Sequence, residues 1–134
     1  MPKGQIEHAN ISVSQPERHL SLLCALLGWE ERWRGKSKNG GDTIHVGGKG
    51  DGATYIALYT DDEVEARGGA PFEKGEPFNH VGLLVDDLDA AEKVVAATGL
   101  EPFGHDDYEP GRRFYFHDWD GIEFEVVSYA GQAS

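Results

Sequence analysis

Apolar and polar positions alternate over residues 7–13, with Ala9, Ile11 and Val13 on one face and His8, Asn10 and Ser12 on the other. That period of two predicts a half-buried strand. The segment "SQPE" then reads as a helix start: Ser14 as N-cap, Pro16 in the first turn and Glu17 three residues after the cap. Leu20, Leu23, Cys24 and Leu27 repeat at i, i+3, i+4, i+7 and Gly28 ends the run, which predicts an amphipathic helix closed by glycine. Strands are expected at 29–35, 42–46 and 54–60, separated by the glycine-rich turns "KSKNGG" and "GGKGDG". The latter lacks the Lys-Ser/Thr ending and following helix of a phosphate loop, so it reads as a hairpin.

Residues 61–78 show no periodicity and read as a linker rich in charge, glycine and proline. After it the order begins again. A strand is expected at 79–85, then a helix capped by Asp86 or Asp87, with Leu88, Ala91 and Val95 inward, ending at Ala97 and closed by Gly99. Further strands are expected at 100–104, 113–118 and 122–128, the last two joined by "DWDG", where Asp-Gly signals a tight turn. The chain is therefore βαβββ twice, an internal duplication. His8 lies 20 residues before Gly28, and His80 lies 19 before Gly99, so the two histidines are equivalent. The expectation is an α+β fold: one domain over 1–134, with module 1 over about 6–60, the linker at 61–78 and module 2 over about 79–129, their mixed sheets curved into a cup.

Side chains alternate across a strand. If Ala9, Ile11, Val13, Val81, Leu83 and Val85 pack under the helices, His8 and His80 face the other way. The same parity places His45, Tyr55, Ala57, Tyr59, Tyr115, His117, Glu123 and Glu125 on the histidine face. Antiparallel sheets ordinarily expose Thr, Lys, Glu and Arg, not a set of imidazoles, phenols and carboxylates. Two imidazoles and one carboxylate on rigid strands form the facial triad that holds a divalent metal with open positions, so His8, His80 and Glu125 are the candidate ligands. Tyr115 shares their parity and is a candidate catalytic donor beside Glu125. His45, Tyr55, Tyr59 and Tyr115 are candidate substrate-binding groups, with His45 also able to carry a proton.

Composition narrows the partners. The 134 residues carry 24 acidic and 12 basic side chains, a formal charge of −12, which repels phosphate backbones and anionic lipid. Nucleic acid and membrane are therefore not expected as partners. No apolar run approaches the ~18 residues of a membrane span. The start "MPKGQIEHAN" does not read as a secretory signal, and the single cysteine, Cys24, sits on a helical apolar stripe. A cytoplasmic setting is expected.

The segments "IEHANISV…LLGWE", "NHVGLLVDDLDAAEKVVAATGLEP" and "FYFHDWDGIEFEVV" resemble the vicinal oxygen chelate superfamily, the glyoxalase, bleomycin resistance and extradiol dioxygenase group, over about 6–129. Trp119 stands where that group has a proline in the last turn. The resemblance implies metal ligands from the first and fourth strands of each module: His8 and Ala57, then His80 and Glu125. Ala57 cannot bind a metal, and glyoxalase I normally has a carboxylate there, which argues against glyoxalase I activity. The tail "SYAGQAS" offers no basic set for a phosphonate.

The expected function is a divalent-metal-dependent enzyme, using one Fe, Mn, Ni, Co or Zn ion. It would bind a small oxygenated substrate through adjacent oxygens for lyase, isomerase or ring-cleaving dioxygenase chemistry. The alternative is a metal-free module that sequesters a drug or metabolite, as bleomycin-binding relatives do. A homodimer is expected, because one βαβββ unit leaves sheet edges open.

Overall fold

The computed structural model describes residues 2–38, 40–65, 77–108 and 111–129. The elements are β1 (His8–Ser12), α1 (Pro16–Leu27), β2 (Glu30–Lys36), β3 (Asp42–Gly47) and β4 (Tyr55–Thr60). There follow β5 (Val81–Leu84), α2 (Leu88–Ala97), β6 (Phe103–Tyr108), β7 (Gly111–His117) and β8 (Glu123–Ser128). The chain divides into two compact units, Met1–Glu65 and Ala66–Ser134. Each is βαβββ, as the duplication in the sequence requires. The fold is α+β, built of two tandem modules with one mixed sheet each.

In the first unit the strand order is β1-β4-β3-β2, and in the second β5-β8-β7-β6. The first strand of each module pairs parallel to the fourth, and the remaining pairs are antiparallel. Ile11, Val13, Ile44, Val46, Ile56 and Leu58 are buried with Leu22, Leu23 and Leu26 of α1. Phe114, Phe116, Phe124 and Val126 are buried with Leu88, Ala91 and Val95 of α2. Fully burying one such side chain contributes about 1.5–3 kcal/mol, so these faces fix which way every strand points. The alternation read from the sequence therefore holds on β1, β4, β7 and β8.

Several local expectations are corrected. Gln15, not Ser14, occupies the N-cap position of α1 and makes no side-chain cap bond. Pro16 at the first helical turn forces the preceding residue out of helical geometry, which sets the boundary at Gln15 (φ −138°, ψ 87°). Ser14 Oγ instead accepts a hydrogen bond from Arg18 at 3.3 Å. The buried stripe of α1 is His19, Leu22, Leu23 and Leu26, one step round from the expected Leu20, Leu23, Cys24, Leu27. In "HLSLLCALL" two apolar stripes overlap at helical spacing, and periodicity cannot rank them.

The strand expected at 100–104 starts later and runs on through 108. β6 spans Phe103–Tyr108, with a register shift after Phe103 and a left-handed Gly104 (φ 64°). Asp106 and Asp107 pair across the ladder with Arg113 and Arg112. Opposite charges across an edge strand leave no alternation to read. β5 begins one residue after His80, so that histidine stands at the strand's mouth. The greater part of the expected linker, 66–76, lies outside the described residues, as do 109–110 and the tail from 130.

Candidate metal and substrate site

In the first unit the rings on the histidine face form a row across the sheet. His8 stacks on Tyr55 at 4.9 Å between centroids, and Tyr55 stacks on His45 at 4.6 Å. His45 meets Trp33 at 5.1 Å with a 52° tilt. The register explains the row, since His8 lies opposite Tyr55 and Trp33 opposite His45. Burial, then the nearby His8, push the His45 imidazole below its ordinary value, with Arg32 adding to them and Glu7 opposing. Burial, and then the carboxylate of Glu7, raise the Tyr55 phenol. Tyr59 donates its hydroxyl to Asp61 at 2.6 Å, which holds that side chain along the end of β4. Ala57 is buried on this face between Asn10 and His45, and it offers no donor atom.

In the second unit His80, Glu125, Tyr115 and Arg113 come together. His80 Nε2 lies 2.9 Å from Glu125 Oε1. Tyr115 presents its ring edge to His80 at 5.8 Å between centroids and also stacks with Phe103 at 6.0 Å. Glu123 lies 3.3 Å from His117 Nε2 through one oxygen and 3.8 Å from His80 Nδ1 through the other. Glu125 Oε2 accepts a 2.6 Å hydrogen bond from Arg113. Both side chains of that ion pair are nearly buried, at 14% and 13% exposure. A cavity of about 350 Å³ opens over Arg113 and Glu125, walled by Gly82, Leu84, Val127 and Tyr129.

The two histidines are held in the same way. His8 Nδ1 lies 2.9 Å from Glu7 Oε1, and His80 Nδ1 lies 2.7 Å from Asn79 Oδ1. In each module the residue before the histidine supplies the oxygen. An imidazole that donates Nδ1–H to such an oxygen keeps its Nε2 lone pair for a metal. Glu7, Asn79 and Arg113 were not singled out in the sequence. Arg113 was findable, because it shares the parity of Tyr115 and His117. It lies opposite Val127, and its reach to Glu125 is the diagonal contact of an antiparallel pair.

His80 and Glu125 have the spacing of two ligands on one divalent cation. Bonds of about 2.1 Å at right angles place two donor atoms about 3 Å apart. The His80–Glu125 separation has that size.

The family model described as Glyoxalase/Bleomycin resistance protein/Dioxygenase superfamily matches residues 7–116. The chain belongs to that superfamily. The match spans both modules and stops short of Glu125. No curated protein matches this superfamily member in sequence. Solved structures match it in fold. A glyoxylase/bleomycin resistance protein/dioxygenase domain from Frankia sp. superposes with a TM-score of 0.72 at 21% identity, covering 95% of this chain and 93% of that one. A mutant of the genomically encoded fosfomycin resistance protein FosX from Listeria monocytogenes gives 0.69 at 19% identity, covering 95% and 93%. That FosX structure is complexed with Mn(II) and 1S,2S-dihydroxypropylphosphonic acid. A superfamily member from Sphaerobacter thermophilus gives 0.67 at 22% identity, covering 94% and 98%. Among the described residues, no helix is long and apolar enough to cross a membrane.

Proposed function

We propose that this superfamily member is a divalent-metal-dependent enzyme acting on a small substrate that chelates the ion through adjacent oxygens. His80 and Glu125 of the second module and His8 of the first would hold the metal, with His8 coming from the same copy or a neighbouring one. The observation that carries the reading is the His80 Nε2–Glu125 Oε1 pair at 2.9 Å, its imidazole fixed from behind by Asn79. A bound ion would supply Lewis-acid stabilisation of an oxygen anion on the substrate. Tyr115, edge-on to His80, would orient the substrate, and its hydroxyl is the candidate hydrogen-bond donor. The phenol of Tyr55 and the imidazole of His45 would line the approach on the first module. We infer a cytoplasmic homodimer as its setting.

A second reading is a metal-free binding module, and one observation favours it. Glu125 is already satisfied by His80 on one oxygen and Arg113 on the other. Metal analysis of protein purified without added metal separates the two. The enzyme reading expects close to one transition-metal ion per chain in the wild type, and loss of most of it in His80→Ala and in Glu125→Gln. A wild type free of Mn, Fe, Co, Ni and Zn, and unable to bind added Mn(II), would establish the binding module instead.

A further inference from the structure

We propose that Arg113 is a positioning residue that makes Glu125 a one-oxygen ligand, so that three coordination positions stay available to substrate and water. The inference rests on the metal reading above. Arg113 donates to Glu125 Oε2 at 2.6 Å, while Glu125 Oε1 faces His80 Nε2 at 2.9 Å. The two carboxylate oxygens thus have separate tasks. For Glu125 to chelate through both, Oε2 would have to leave the guanidinium. That would break a short charge-assisted hydrogen bond between two nearly buried side chains.

The strand geometry keeps the arrangement fixed. Arg113 and Glu125 stand on adjacent, fully paired strands of the second sheet, and both line the same cavity. Their flanking residues Phe114, Phe124 and Val126 are buried on the opposite face, so neither strand can turn. A six-coordinate ion held by two imidazoles and one carboxylate oxygen keeps three positions. Two adjacent oxygens of a substrate take two of them, and the third remains for water or a second reactant. A carboxylate bound through both oxygens would remove that third position.

The test counts water on Mn(II), the ion used alone as probe. Binding is followed by loss of the free-ion electron paramagnetic resonance signal. Bound water is counted from the proton relaxivity of the loaded protein. The wild type is expected to carry three waters. Arg113→Met removes the donor at similar length, and its relaxivity is expected to fall by about a third, as one water of three is displaced. Arg113→Lys keeps a cationic donor and is expected to stay near the wild-type value. A wild type carrying two waters overturns the proposal even if Arg113→Met does not fold. Equal or higher relaxivity in Arg113→Met, with Mn(II) bound in both proteins, also overturns it while leaving the metal reading intact. An undiminished free-ion signal with the wild type removes the metal reading, and this proposal with it.

Discussion

His45 is the imidazole whose surroundings most clearly set its charge. It lies between Tyr55 and Trp33, and burial followed by His8 lowers its affinity for protons below the ordinary value of 6.5. In the unfolded chain it titrates near 6.5, so below that pH the unfolded state takes up more protons than the folded one. The stability this residue confers is therefore whole above pH 6.5 and is lost as the pH falls. Urea denaturation between pH 7.5 and 5 should show stability declining, and His45→Gln should flatten part of that slope. Proton NMR should find His45 less charged than an exposed imidazole at the same pH. Cys24 is the opposite kind of residue. Burial, then Glu31 and Glu30, raise its thiol, which favours the protonated form.

At the scale of elements, two aspartates do local work through backbone N–H groups. Asp87 caps α2 by accepting from the Ala90 amide at 3.0 Å. Replacing it with alanine should lower stability by about 1 kcal/mol, read as a shift in the urea midpoint with the slope unchanged. Asp118 accepts from the amides of Asp120 at 2.9 Å and Ile122 at 2.8 Å, which closes the turn between β7 and β8. Gly121 takes the left-handed conformation there (φ 89°), so the turn forms although Trp119 stands where the family has proline. Asp118→Ala leaves buried amides without that acceptor, and a loss of about 1–3 kcal/mol is expected in thermal unfolding. Because this turn sets the register of β8, the variant should also weaken metal binding at Glu125, by more than Asp87→Ala does.

At the scale of the whole molecule, the net charge of −12 repels itself in the compact state. Raising NaCl from about 10 mM to about 0.5 M shortens the screening length severalfold and should raise the melting temperature. The assignment of His8 to the metal is a molecular-scale claim, because His8 belongs to one unit and His80 with Glu125 to the other. Mixing His8→Ala with His80→Ala protein, each defective alone, should regain metal if sites are shared between copies. If each site lies within one chain, the mixture should stay as empty as its parts. If His8→Ala alone binds metal as the wild type does, His8 is not a ligand.

Much of this molecule was legible from periodicity. The duplicated βαβββ order, the buried faces of the strands, a cap of α2 at Asp86 or Asp87 and the Gly28 terminus follow from local chemistry, and local chemistry is written in neighbouring residues. So is the shared face of His80, Tyr115 and Glu125, because alternation along a strand is fixed once its apolar side is known. What the chain could not declare were contacts made across strands. Which stripe of α1 is buried depends on the sheet it meets. β6 runs to Tyr108 because its backbone pairs with β7, a register no local pattern declares. The pairing of Arg113 with Glu125, twelve residues apart in sequence, arises from the register of β7 on β8. Periodicity assigns a residue to a side of the sheet, and only the hydrogen-bonded register assigns it a neighbour.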